Sequence, residues 1–245
     1  MSTEELPPRE SMEFDVVIVG AGPSGLAAAV YAAWLTLAAL IALAALPAPL
    51  SAQSLWNPER PLPAFASAWR VPDPIEDFAG YLPYVVLAEV LTDGDASRLV
   101  QRLILKDRTA TSVGGYVSFM GEAFDVRDPT GLLLQAFLPP GSTVDPVLAA
   151  TAEECDRLAH DGLEPGELAR TVARMATHVL RDADTVLTRA LQYAVHEQQR
   201  ADPALSLELP ARLAEVTEDQ VRTAAATLVP ARRATIEVIP GGGTQ

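Results

Sequence analysis

Three glycines, Gly20, Gly22 and Gly25, follow the strand-like run Val16–Val19, a spacing that in a strand-turn-helix unit can hold a pyrophosphate. The chemistry is electrostatic: glycine lets backbone N–H groups approach phosphate oxygens, and a helix amino terminus adds partial positive charge. A working dinucleotide site also needs a second strand and an acidic residue about 20 positions on to hold the ribose. No acidic residue occurs between Asp15 and Glu59, and residues 33–46 run Ala-Trp-Leu-Thr-Leu-Ala-Ala-Leu-Ile-Ala-Leu-Ala-Ala-Leu where that strand belongs. Gly20, Gly22 and Gly25 are therefore the cofactor-binding candidates, and they read as a truncated fingerprint more than as an FAD site.

Metal ligation is the second chemistry to weigh. His196-Glu197-Gln198-Gln199-Arg200 departs from the zinc signature His-Glu-x-x-His at its last residue, because a guanidinium stays protonated and cannot be a ligand. His160 and His178 begin no such motif. His196 shares a helical face with Arg189, Gln192 and Gln199 and reads as a surface histidine, as does His178 beside Thr171 and Arg174. Cys155 is the only cysteine, which excludes an intrachain disulfide or thiolate zinc site, and its apolar helical stripe makes it a core residue. Glu153 and Glu154 read as exposed helix carboxylates. No Ser, His and Asp grouping stands out, so no catalytic residue and no metal ligand is assigned.

The chain that must position these groups has 245 residues and a formal charge of -14. Lys106 is its only lysine and the arginines are scattered among acids, which argues against a nucleic-acid partner. Residues 16–57 carry no charge, and Leu26–Leu46 is almost wholly apolar. As a helix that run has the length of a bilayer span; residues 35–53 also resemble a displaced secretory segment, and a buried or misassigned hydrophobic helix is the third reading. Membrane association or secretion is thus expected over a cytoplasmic location. Pro47, Pro49, Pro58, Pro61 and Pro63 with Ser51 and Ser54 read as a linker. The expected division is an acidic tail with the fingerprint at 1–31, an apolar helix and linker at 32–63, one folded domain at 64–241, and a flexible tail at 242–245.

Within that domain, period and punctuation give the elements. Ala64–Val71 reads as a strand, Phe78–Leu91 as a helix, and Ser97–Lys106 as a helix with Leu99, Val100, Leu103 and Ile104 on one face. Thr111–Met120 and Leu132–Leu138 read as strands. The stripe Val144, Val147, Leu148, Thr151, Cys155 and Leu158 marks a helix ended by Gly162, followed by helices at Leu168–Leu180 and Thr185–Gln199. Thr217-Glu218-Asp219-Gln220 is a capping box, with Val216 and Val221 as a hydrophobic staple, for a helix reaching Leu228. Ala234–Ile239 alternates as a closing strand. The order implies an α+β fold, a mostly antiparallel sheet covered by helices.

Two resemblances follow from the residues. Trp69-Arg70-Val71-Pro72, Ala88-Glu89-Val90-Leu91, Gly94 to Leu103, Phe124 to Pro129, Gly166 to Arg170, Glu208-Leu209-Pro210 and the box at Val216 to Gln220 together resemble the second half of an insulinase/pitrilysin-type zinc peptidase of the mitochondrial processing peptidase kind. That resemblance covers about residues 60–241. It implies two homologous halves that close around an extended peptide, with zinc held by His-x-x-Glu-His in the other half. This chain lacks that motif, so the zinc is expected in a separate partner subunit and no cofactor in this chain. The family's second half also supplies an Arg and a Tyr to the substrate; the matching positions here are Ile104 and Thr111, which cannot do that work. Arg108 and Tyr116 would replace them only in a shifted register. Residues 13–30, by contrast, resemble flavoproteins of the electron-transfer-flavoprotein:ubiquinone oxidoreductase and geranylgeranyl reductase type. The function expected is a non-catalytic half that binds substrate or partner. The alternatives are an FAD-dependent oxidoreductase fragment, or a fused or truncated product without activity of its own.

Overall fold

The computed structural model describes residues 50–56, 62–118, 123–127 and 129–240. Gly20, Gly22 and Gly25, the apolar run Leu26–Leu46 and the 242–245 tail lie outside them.

Five strands form one sheet. They are β1 (Leu50–Trp56), β2 (Ala64–Arg70), β3 (Ser112–Val117), β4 (Gly131–Phe137) and β5 (Arg233–Pro240), in the order β1-β5-β2-β4-β3. β2–β4, β2–β5 and β3–β4 pair antiparallel, and only β1 lies parallel to β5. The linker expected over 47–63 is thereby corrected. Its prolines fall outside residues 50–56, where every residue keeps the backbone N–H that a ladder needs, and these pair with Ala234 to Pro240.

The helices are α1 (Phe78–Thr92), α2 (Asp145–Asp161), α3 (Glu167–Asp182), α4 (Val186–Arg200), α5 (Leu205–Ala214) and α6 (Glu218–Ala225). Between α1 and β3, Val100–Lys106 is π-helical. Local chemistry sets the ends. The Asp77 carboxylate accepts from the Gly80 N–H at 2.8 Å to start α1, Thr185 caps α4, and Thr217 with Gln220 forms the reciprocal box of α6. Val216 and Val221, the staple pair, are both buried. Gly162 ends α2 at φ +82°, where a side chain would be strained. Helix α6 is shorter than the sequence implies, stopping at Ala225 and leaving Leu228 in the turn before β5.

Sequence reading misses α5. Pro210 in its middle reads as a breaker, since it deletes one N–H and crowds the preceding turn. Tertiary packing outweighs that cost: Leu205, Leu209 and Leu213 are all buried, the first two against Val179 of α3.

Alternation divides the strands between two faces. Phe65 and Trp69 of β2, Val117 of β3, and Leu132, Leu134 and Ala136 of β4 join α1, α2 and α6 in the main core. A buried hydrogen bond ties β2 to β5 there, Ser67 Oγ to Thr235 Oγ1 at 2.9 Å, and the Trp69 indole donates to the Val229 carbonyl at 3.0 Å. Helix α1 comes so close to β3 that a Cβ on Gly115 would stand 2.6 Å from Leu134 and 2.9 Å from Thr92.

Candidate functional site

The helix before β3 carries one of the two positions at which the resemblance calls for an Arg and a Tyr, Ile104, and the bend just ahead of β3 carries the other, Thr111. Ile104 is partly buried and packs against the main core. Thr111 is exposed, and its hydroxyl donates to the Phe137 carbonyl at 3.1 Å. An aliphatic side chain in the core and a hydroxyl already bonded to the neighbouring strand supply no charge or phenol to a substrate. The shifted pair does not replace them. Arg108 is exposed in a left-handed turn at φ +55°, whereas Tyr116 lies on the helix-free sheet face with Leu133.

This helix is fixed by charge. Arg98 donates through Nε to Glu167 Oε1 at 3.0 Å and through Nη2 to Glu167 Oε2 at 2.7 Å, a bidentate pair. The same Nη2 donates to the Gly162 carbonyl at 2.9 Å, and Nη1 lies 4.0 Å from Glu154. Burial pushes the Glu167 carboxyl up, but the Arg98 hydrogen bonds, the Glu164 backbone N–H and the nearby guanidinium charges outweigh it and hold it below the usual range. Arg102 reaches Asp107 at 2.5 Å and Glu153 at 3.0 Å.

Glu154 is a correction. It is 1 % exposed, not a solvated helix carboxylate, because Arg98 and Arg157 close over it. Arg157 is an i,i+3 neighbour on α2 itself, whereas Arg98 is brought there only by the packing of one helix on another, which no spacing within α2 announces. Glu153, its neighbour, is exposed as read. Beside this network runs an open groove of about 680 Å³ lined by Arg98, Arg102, Lys106, Arg157, Glu164 and Glu167. Its arginines are already paired with carboxylates, so it is no ready anion cradle.

The near-miss zinc motif has a different job. His196 is 2 % exposed, which corrects the surface reading, and its Nε2 lies 3.4 Å from Asp125. Arg200 donates to the Pro74 carbonyl at 2.8 Å and to the Phe124 carbonyl at 3.4 Å, with its guanidinium 4.4 Å above the Phe78 ring. Helix α4 thus turns its polar side inward, clamping the loop after β3 and the start of α1. Its apolar side faces out: Val186, Leu187 and Leu191 are 76 %, 69 % and 56 % exposed. Leu180 of α3 is exposed nearby in sequence. Sequence periodicity locates the two faces of α4 correctly and assigns them to the wrong environments, because hydrophobicity alone does not say which face meets the domain.

The donor set does not fit zinc. His160 and His178 are exposed and separate, His196 is enclosed with a single carboxylate, and among the described residues no three His, Cys, Asp or Glu side chains converge. Cys155 is buried on its apolar stripe, and burial, then the Glu154 charge, push its thiol up to about 12. At neutral pH it is a protonated core group rather than a nucleophile.

Comparison with known proteins bears on this geometry. Residues 45–175 match the family described as the Peptidase M16 inactive domain. A protease from Helicobacter pylori superposes at TM-score 0.67 with 16% identity, covering 79% of this chain and 44% of its own. The inactive peptidase domain of a provisionally assigned zinc protease from Bordetella parapertussis superposes at TM-score 0.64 with 20% identity, covering 75% and 96%. At such identities these similarities establish the fold. A stretch of 29 residues is 72% identical to the mitochondrial electron transfer flavoprotein-ubiquinone oxidoreductase of Dictyostelium discoideum, 12% of this chain and 5% of that protein. The chain therefore spans under half the length of the Helicobacter protease and a small fraction of the flavoprotein.

Proposed function

The chain belongs to the Peptidase M16 inactive-domain family, and from that premise we propose that it pairs with a separate zinc-bearing half and offers an extended peptide one wall of a shared chamber. It is the non-catalytic half of an insulinase-type peptidase. The observation that carries this reading is the intact scaffold around Ile104 and Thr111, where neither side chain retains a group able to hold a substrate carbonyl or a developing oxyanion.

Two surfaces support the division of labour. The first is the outer edge of β3. Ser118 N–H donates to the Gly131 carbonyl at 3.1 Å, so the even residues of β3 bond to β4, and Val113, Gly115 and Val117 direct their backbone groups outward. The Gly115 carbonyl accepts from the Thr92 hydroxyl at 3.2 Å, while among the described residues no strand lies on the outer side of Val113 and Val117, which pair only with β4. An extended peptide adds to such an edge by main-chain hydrogen bonds. The second is the outward apolar stripe of α4, Val186, Leu187 and Leu191, which suits a protein interface. The zinc-bearing half is its occupant in this reading; this chain covers 44% of the Helicobacter protease, which leaves length there for a second unit of similar size.

The test is reconstitution. The chain alone should cleave no fluorogenic extended peptide, with or without added zinc. Mixed with a polypeptide carrying His-x-x-Glu-His that is encoded beside it, cleavage should appear at a 1:1 ratio and disappear with a chelator. Peptidase activity of the chain by itself would overturn the reading. The flavin alternative is not favoured, since its likeness is confined to 12% of the chain.

A further inference from the structure

Residues 180–195, which take in the end of α3, the turn after it and most of α4, contain no buried side chain. Leu180, Val186, Leu187 and Leu191 make the exposed side of this corner apolar. A helical corner that buries nothing gains no rigidity from the core, so its direction is set where it rejoins the domain. On the α3 side that point is Val179, packed with Leu205 and Leu209 of α5. On the α4 side it is the last turns, where His196 is the only buried residue of the helix and Arg200 is its final residue.

We propose, resting on the reading that the zinc-bearing half covers this stripe, that Arg200 is a positioning residue: it sets the angle at which α4 presents Val186, Leu187 and Leu191 to that half. Three contacts make it the pivot. Nη1 donates to the Pro74 carbonyl ahead of α1 at 2.8 Å, Nε donates to the Phe124 carbonyl beyond β3 at 3.4 Å, and the guanidinium lies 4.4 Å above the Phe78 ring. The seat is itself held: Phe124 packs against both the main core and the Val179 cluster, and the Tyr81 hydroxyl donates to the adjoining Ala123 carbonyl at 2.8 Å. His196 adds a single contact, to Asp125 at 3.4 Å. Arg98, Arg102, Arg174 and Arg212 are ion-paired, whereas among the described residues no carboxylate lies within ion-pairing distance of Arg200. What it supplies is direction. A planar fork can meet two carbonyls while lying flat on a ring, which the compact ammonium of a lysine cannot do.

Leverage makes a small error at this pivot large at the interface. Helix α4 has 15 residues, so Val186 stands roughly 21 Å from Arg200 along the axis. A tilt of about 10° there carries the Val186 end through about 4 Å, a full contact distance between apolar side chains. The turn from α3 cannot oppose the tilt, because no side chain between residues 180 and 195 is buried.

The test measures the angle first, in the full chain. Spin labels on Arg189→Cys of α4 and Asp156→Cys of α2, both exposed, report the distance between the corner and the body of the domain. Native Cys155 is buried and its thiol is raised by burial, so it takes no label and reports unfolding if it does. The distance distribution should be at least about twice as wide in Arg200→Lys and in Arg200→Met as in the native chain, with Cys155 still unreactive. Both variants should also weaken binding of the zinc-bearing half by about tenfold, although neither alters a residue of the stripe. Native-width distributions in both variants, or full recovery by Arg200→Lys alone, would overturn the proposal, as would a reactive Cys155 in both, which would place Arg200 in the global fold. If Leu187→Glu with Leu191→Glu abolishes pairing while the Arg200 variants pair normally, the pivot fails and the reading of the stripe stands; a native chain that binds no zinc-bearing half overturns both.

Discussion

Replacing Arg98 by methionine should destabilise the domain by about 3 kcal/mol at neutral pH, and that loss should shrink in acid. Arg98 is 10 % exposed and joins the 15 % exposed Glu167 in a bidentate pair, with the 1 % exposed Glu154 beside it. Methionine keeps the volume but leaves two carboxylates without their cation. Breaking such a buried pair costs about 3 to 5 kcal/mol, and the residual exposure places this case at the lower end. With a slope of about 2 kcal/mol per molar urea, the midpoint should fall by about 1.5 M. Buried Trp69 supplies the fluorescence readout. The pH dependence has a definite sign. The folded Glu167 pKa is depressed below 4.5, so its contribution is present above that value and lost as pH falls through the folded value. Without Arg98, burial is opposed by the Glu164 N–H and the Arg170 charge alone, so the carboxyl rises relative to the native chain and the variant sheds part of its penalty by protonation. The gap between native and Arg98→Met should therefore narrow between about pH 7 and about pH 4. Adding Glu167→Gln should recover part of the loss at neutral pH. A midpoint shift below about 0.3 M, or one equal at both pH values, would refute the reasoning.

Other consequences are simpler. Gly115→Ala should cost about 1 to 3 kcal/mol by overpacking against Leu134 and Thr92, whereas Gly114→Ala, whose added Cβ would lie 3.5 Å from Gln135, should change the melting temperature little. Thr217→Ala should cost about 1 kcal/mol through loss of the α6 cap, read by urea unfolding. Leu187→Glu with Leu191→Glu should leave stability nearly unchanged, since both side chains are exposed, and should abolish co-purification of a zinc-bearing subunit. Ile104→Arg with Thr111→Tyr should leave the isolated chain inactive and raise turnover only in the reconstituted pair.

The sequence is most legible where one pattern has one physical meaning. The runs Ala64–Val71, Leu132–Leu138 and Ala234–Ile239 read as strands, the α2 stripe contains Val147, Thr151, Cys155 and Leu158, and Thr217 with Gln220 spells a cap; all appear within a residue or two of expectation. It is least legible where packing decides. Pro210 hides α5 because its cost is local and its compensation, Leu205 and Leu209 against Val179, is not. Residues 50–56 read as linker because a parallel edge strand acquires its partner from β5 near the other end of the chain. The lining of the candidate site divides the same way. The loss of the Arg and Tyr functions at Ile104 and Thr111 is visible in residue types. The Arg98 contact that encloses Glu154, the burial of His196, and the outward turn of the α4 leucines depend on neighbours that no local spacing encodes.

Native mass spectrometry of the tagged chain isolated from its own source cells tests the central claim most directly, because one spectrum reports both the mass of the assembly and its metal. The expected result is a complex of this chain with a second subunit, with zinc carried by that subunit and lost from it on chelation. A chain that travels alone, holds zinc in stoichiometric amount and cleaves peptide unaided would contradict its assignment as a non-catalytic half.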